Sequence, residues 1–255
     1  MKTIKASSIV SCLLIFVFAI SACSVLAPAE APTNTPAPTA TVILTSTNTP
    51  RPSATPRPTR TPNFAATERY EAFKAETQKY YDLGYLSSTN GKFKEIDDFE
   101  EEWAQLNWFR WWPINQKASD FYMSAHFAWE SAYRNADTSG CGFIFALTPD
   151  KLYYAVFLDR SRVHFLTKTK SGVRRQGVTR GSNAVKFDYP AEADFTLIVK
   201  GLTAYVLVND ELTGEYTLSQ SKAITGDIAL TVLSGTNKDY GTRCEMTDVR
   251  LFIPD

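Results

Sequence analysis

Between Asp120 and Ser131 apolar and polar positions alternate one for one. Phe121, Met123, Ala125, Phe127 and Trp129 fall on one side, and Tyr122, Ser124, His126 and Glu130 on the other. A period of two sends successive side chains to opposite faces of a strand. The stretch therefore predicts a strand with one buried face. Shorter runs of the same kind follow: "CGFIFAL", "KLYYAVFLD", "RVHFLTK", "DFTLIVKG", "TAYVLVND", "GEYTL", "GDIALTVLSG" and "CEMTDVRLF". Turn formers separate them at Thr148-Pro149-Asp150, Ser171-Gly172, Asn209-Asp210 and Ser234-Gly235. In "YLSSTNGKFKEI", Asn90-Gly91 stands between two short extended runs and predicts a further hairpin. Many short strands at even spacing imply an antiparallel sandwich.

Upstream the period changes. "NFAATERYEAFKAETQKYYDLG" places Ala66, Tyr70, Phe73, Thr77 and Tyr80 on one face at helical spacing, with Asn63 as cap and Gly84 as stop. It predicts a helix over 63–84, packed on the next domain or serving as a stalk. Residues 23–62 are dominated by Pro, Thr and Ala. Proline removes donors and fixes an extended backbone, so this stretch builds no core and predicts a disordered tether. At about 3.1 Å per residue, some 40 residues reach roughly 120 Å.

Residues 1–22 have the order of an export signal: Lys2 and Lys5, an apolar run from Ile9 to Ile20, then small residues. The run is shorter than the roughly 20 residues a permanent span needs. It ends in Ile20-Ser21-Ala22-Cys23, which resembles the bacterial lipobox. That resemblance implies a diacylglycerol on the Cys23 thiol, cleavage before it and acylation of the new amino terminus. Several acyl chains anchor stably where one binds marginally. The expected location is extracytoplasmic, at a bacterial membrane, cell surface or periplasm. The expected division is a signal peptide at 1–22, a tether at 23–62, a helix at 63–84 and a β domain at 85–255.

"FTLIVKGLTAYVLVNDELTGEYTL" is similar to the central segment of concanavalin A-like jelly rolls, the laminin-G-like and lectin/glucanase sandwiches. "TGDIALTVLSG" followed by "TDVRLF" resembles the final two strands of that fold. The 3-keto-disaccharide hydrolase domains of secreted bacterial proteins share the shape and are a weaker relative. The resemblance runs from Phe121 to Ile253 and implies a mainly β fold, an antiparallel sandwich. Its motifs are structural turns, so it speaks for a fold and not for a function.

Charge adds an exclusion. Lys and Arg number 27, Asp and Glu 27, for a formal net charge of zero. There is no basic excess to suggest nucleic acid as a partner. The two histidines, His126 and His164, have no ligand neighbour at zinc spacing and form no readable nucleophilic triad. His126 reads as a surface residue. Glu95-Ile96-Asp97-Asp98-Phe99-Glu100 resembles the Glu-x-Asp-x-x-Glu of laminarinase-like glucanases, where carboxylates about 5 Å apart act as nucleophile and acid. In those enzymes the motif lies on a central strand, whereas here almost nothing of the sandwich precedes Glu95. The run continues into Glu101 and Glu102 and reads as a solvated segment. No catalytic residue is assigned.

Asp137, Asn237 and Asp239 lie in loops that offer oxygen ligands, as calcium sites do in some laminin-G-like domains; plain turns are the preferred reading. "EEWAQLNWFRWWPI" carries Trp108, Trp111 and Trp112. Such rings stack on sugars, and they also seal the open end of a sandwich. Trp111 and Trp112, being adjacent, point to opposite sides of an extended segment.

Export permits a lasting disulfide. Cys141 has Cys244 as its candidate partner, each opening a predicted strand after a glycine-containing turn. In the fold the resemblance implies, the last strand returns beside early ones. These features lead to an anchored monomer with a non-catalytic binding domain, for carbohydrate first. A glycoside hydrolase-like enzyme and a protein-binding adhesive module are the alternatives.

Overall fold

The computed structural model describes residues 64–133, 138–160, 162–181, 189–219 and 225–255. The signal peptide, the lipidation site Cys23, the tether and Asp137 lie outside the described residues. In chain order the elements are α1 (Phe64–Asp82), β1 (Gly91–Glu95), β2 (Phe99–Trp103), β3 (Trp108–Ala118), β4 (Phe121–Ser131), β5 (Gly140–Leu147), β6 (Tyr153–Asp159), β7 (Arg162–Thr169), β8 (Gly172–Arg175), β9 (Arg180–Gly181), β10 (Ala191–Lys200), β11 (Thr203–Val208), β12 (Glu211–Thr217), β13 (Gly226–Ser234) and β14 (Thr242–Pro254).

The strands form two antiparallel sheets that pack as a sandwich. The first has the order β1-β14-β4-β10-β11-β12, with β2 also beside β14. The second has the order β3-β13-β5-β6-β7-β8, with β9 also beside β7. The alternation at Phe121 behaves as its period requires. Phe121, Met123, Phe127 and Trp129 face inward from β4 into the main core. Phe127 stacks on Phe195 of β10 at 4.9 Å and meets Phe143 of β5 edge-on at 5.2 Å, so rings from both sheets interlock. Cys141 of β5 and Cys244 of β14 are joined across the sandwich, 103 residues apart in the chain, with Cα atoms 5.8 Å apart. Asn209 and Asp210, both at positive φ, turn β11 directly into β12.

Two local expectations fail. Asn90-Gly91 makes no hairpin. Tyr85 and Leu86 are drawn into the apolar cluster under α1, and the Ser88 hydroxyl accepts from the Asn90 N–H at 2.9 Å. Gly91 instead opens β1, which pairs with the end of β14. The acidic stretch is also not simply solvated. Its second half is β2, paired with β14, with Phe99 turned into the core.

The helix α1 lies on the outer side of the first sheet. Phe73, Thr77 and Tyr80 are buried, and Phe73 and Tyr80 cluster with Tyr122, Ile198, Leu207 and Phe252. Tyr70, expected on the same face, is 49% exposed. Polar groups fix the docking. The Tyr122 hydroxyl donates to Glu76 at 2.8 Å, and Arg250 pairs with Glu76 at 3.2 Å. Tyr80 donates to Asp210 at 3.0 Å, and Lys79 pairs with Asp210 at 3.2 Å. Burial, with Glu76 close by, pushes the Tyr122 hydroxyl well above the usual phenol range.

Candidate functional site

The outer face of the second sheet carries its own apolar cluster, and among the described residues no helix lies on it. Strand register lays this face out in rows. One row crosses five strands: Trp111, Thr231, Gly142, Phe157 and His164. The row beside it holds Phe109, Leu233, Gly140, Asp159 and Arg162. The aromatic cluster therefore extends from Phe109 and Trp111 on β3 to Tyr153 and Phe157 on β6, and Arg162 and His164 lie on β7, roughly 19 Å from β3 at four strand spacings.

The rings are in mutual contact. Phe109 lies 5.0 Å from Phe157 and 6.1 Å from Tyr153, and Trp111 lies 5.4 Å from Tyr153. Phe157 reaches across β5 because position 142 is glycine. A Cβ there would sit 2.8 Å from the Phe157 Cδ1 atom. Phe109, Tyr153 and Phe157 are buried, and burial raises the Tyr153 hydroxyl to about 12. Trp111 is half-buried at the rim. Trp108 stacks on Phe109 at 5.3 Å and stays 41% exposed.

At the polar end Asp159 is fully buried. A buried carboxylate needs partners. Arg162 supplies two N–H donors, from Nε to Oδ1 at 3.2 Å and from Nη2 to Oδ2 at 3.3 Å. His164 Nε2 stands 2.8 Å from Oδ2, close as an ion-pair contact but off the hydrogen-bond line. Both partners lie on the outward side of β7, so Asp159 holds a guanidinium and an imidazole on the sheet surface.

The three tryptophans are thus divided. Trp111 belongs to the outer cluster, and Trp108, at the start of β3, reaches it by stacking on Phe109. Trp112 faces the opposite way, against Phe99 at 5.3 Å and under the Arg110 guanidinium at 5.1 Å. Its free edge lines a separate cavity of about 270 Å³ with Asp97, Asp98 and Asn115. Trp112 is therefore not part of one platform with Trp111, because successive side chains of β3 alternate.

The glucanase-like carboxylates lie at the rim of the first sheet. Glu95 ends β1 and pairs with Arg69 of α1 at 3.7 Å; Asp97 and Asp98 are in the turn after it, and Glu100 is exposed on β2. Glu95 and Asp98 line a cavity of about 360 Å³ with Arg69, Asp248 and Arg250. His126 lies on the outer side of the first sheet, with Nδ1 2.8 Å from Asp194. Asn237 and Asp239 lie in the β13–β14 connection. Among the described residues no group of three or more His, Cys, Asp or Glu is placed to hold a metal.

Sequence reasoning passed over Phe109, Tyr153, Phe157, Asp159 and Arg162. One signal was present: "LDRSRVH" places Asp159 among two arginines and a histidine.

No family model matches this chain, and no curated protein does. Several solved structures are similar to it in part. The carbohydrate binding module CBM66 from Bacillus subtilis is 10% identical, with a TM-score of 0.46 over 65% of this chain and 98% of that one. A fructosyltransferase from A. japonicus is 11% identical, with a TM-score of 0.44 over 64% of this chain and 26% of that one. The chain thus spans about a quarter of that protein's length. A beta-glucanase from Bacillus licheniformis is 9% identical, with a TM-score of 0.42 over 55% of this chain and 69% of that one. These are likenesses of shape. No residue's role is carried over from them.

Proposed function

We propose that the chain is an exported, lipid-anchored binding protein without catalytic activity, whose sandwich offers the outer face of the second sheet to a carbohydrate. The anchor is Cys23, and residues 24–62 hold the domain off the membrane. The observation that carries the reading is the pairing of Trp108 and Trp111 on one side of that face with the Asp159–Arg162–His164 group on the other. A sugar presents apolar C–H faces and hydroxyl edges. Indole rings stack on the former, and a fixed charged group hydrogen-bonds to the latter. Buried Phe109, Tyr153 and Phe157 hold the platform rigid beneath.

The same face argues against glycoside cleavage. Retaining hydrolysis needs two carboxyl groups about 5 Å apart, and inverting hydrolysis about 6.5–9.5 Å. Asp159 is engaged by Arg162 and lies against His164. Asp227, on the same side of β13, pairs with Lys117 at 3.6 Å, and strand geometry puts it roughly 20 Å from Asp159.

The test is a glycan array probed with the full chain carrying Cys23→Ser, which removes the acyl chains. Binding that Trp111→Ala weakens about tenfold supports the reading. Release of sugar from a polysaccharide mixture sinks the non-catalytic part, and capture of a protein with no glycan signal sinks the rest. The anchor is tested separately, by fatty-acid labelling that Cys23→Ser abolishes.

A further inference from the structure

We propose that the glycan bound is an acidic polysaccharide, its carboxylates held by a cationic strip along β7 and β8. This rests on the binding reading above and names its ligand class. The charges of this chain are balanced overall but segregated along it. Residues 160–180 contain seven Lys or Arg and no Asp or Glu, whereas residues 95–102 contain six Asp or Glu and no Lys or Arg.

Register shows where the basic segment points. Arg162, His164 and Lys168 alternate on the outward side of β7. Arg175 of β8 lies opposite Leu166, on the same outward side. The strip from Arg162 to Lys168 is roughly 20 Å long and adjoins the Phe157–Trp111 row. Asp159 is the carboxylate that pairs within it, shared by Arg162 and His164. Among the described residues Lys168 and Arg175 make no ion pair. The strip therefore holds a net positive charge beside an aromatic platform. The acidic segment sits in the other sheet, at the end of β1, on β2 and in the turn between them, where Arg69 and Arg243 pair with Glu95 and Glu102, so it does not face the strip on β7.

Edge protection accounts for only part of this pattern. Charges that blunt a sheet edge belong on the edge strand. Arg175 is on β8, an edge of the second sheet, but Arg162, His164 and Lys168 are on β7, which is flanked by β6 on one side and by β8 and β9 on the other. A membrane surface suits the strip less well than a linear polymer. Arg174 lies opposite Thr167 and Arg180 opposite Val163, on the inward-facing register of β7. The cations do not form one plane; those on the outward side form a line.

The experiment compares two polymers with one backbone: polygalacturonate, and the same polymer with its carboxyls reduced to alcohols. The full chain carrying Cys23→Ser is used, with affinity read by calorimetry. The expected result is binding of polygalacturonate, binding of the reduced polymer about tenfold weaker or more, and loss of the difference on raising salt from about 50 to about 500 mM. Lys168→Gln and Arg175→Gln each weaken polygalacturonate about three- to tenfold and leave the reduced polymer unchanged. Their melting temperatures stay at the parent value, which separates charge from folding. Equal binding of both polymers overturns the acidic class and leaves the glycan reading standing. Binding to neither polymer and to no neutral glycan on the array overturns both. Binding to vesicles of anionic phospholipid without binding to polygalacturonate overturns the inference in favour of a membrane.

Discussion

Each sheet has an apolar cluster on its outer face, and the two are completed differently. The first sheet is covered by α1, with Phe73 and Tyr80 pressed onto Tyr122, Ile198 and Phe252 and polar bonds at Glu76 and Asp210 fastening the helix. The second carries Phe109, Tyr153 and Phe157 packed among themselves, with Trp108 and Trp111 at the rim and a charged group at the far end. A covered face contributes to folding. On the second face, among the described residues, Phe109, Tyr153 and Phe157 are buried without a helix over them, and Trp108 and Arg162 at the two ends stay 41% exposed. The contrast predicts that substitutions on the first face change stability without binding, and that substitutions among the buried groups of the second change both.

The largest effect belongs to what holds the two faces in register. Cys141–Cys244 spans 103 residues, and closing a loop of that length contributes about 4–5 kcal/mol in the chain-entropy model. A Cys141→Ser, Cys244→Ser double variant is expected to lose about that much in urea unfolding. The unreduced parent, unfolded, is expected to show neither thiol to an alkylating reagent. A stability change under about 1 kcal/mol would mean the interlocked Phe127, Phe143 and Phe195 rings carry the junction alone.

Phe73→Ala comes next. Removing a buried phenylalanine costs about 3–5 kcal/mol. The loss is expected at the first face alone, with glycan affinity within a factor of about two of the parent. Any larger fall in affinity would make α1 part of the site and erase the distinction between the faces.

These two faces were unequally legible. The β4 alternation announced the inner face of the first sheet, and a stripe including Phe73, Thr77 and Tyr80 announced the helix that covers its outer side. Asn209-Asp210 announced a turn for the same reason, since its residues suit positive φ. The second sheet hid its outer face. "GCGFIFAL" and "YYAVFLD" become β5 and β6, which are buried on both sides, so they show no period of two to separate inside from outside. In β3 the pairing shifts register near Asn115, and its tryptophan-rich sequence suits a sugar platform and a cap alike. The balanced charge total concealed the basic strip, because the acidic run at 95–102 cancels it on paper while lying in the other sheet. Asn90-Gly91 misled for a different reason. Local turn chemistry was present, but Leu86 gains more from burial under α1 than from pairing as a strand.

Asp159→Asn tests the polar end of the second face. Asparagine keeps the shape and removes the charge that holds Arg162 and His164. The expected cost is about 1–3 kcal/mol, below that of Phe73→Ala because Arg162 is 41% exposed and water takes over part of its solvation. Affinity should fall with it. A stability loss without an affinity loss would reduce this group to a structural pair.

The smallest effect is a difference in pH response. Burial raises the Tyr153 hydroxyl from 10.0 to about 12. The folded state thus keeps a proton that the unfolded state releases near 10. The resulting stability is fully present below pH 10 and is lost as pH rises from 10 through 12. Tyr153→Phe removes the ionisable group, so its stability should fall less steeply over that window than the parent's. Tyr80 and Tyr122 on the first face are raised further, by burial and by the carboxylates of Asp210 and Glu76 respectively, so Tyr122→Phe should flatten the curve more. Tyr122→Phe also loses the bond to Glu76 and should start lower at pH 7, which Tyr153→Phe should not. Identical profiles for the two variants would mean the two faces exclude water equally, and the second would then lack the open rim that a ligand needs.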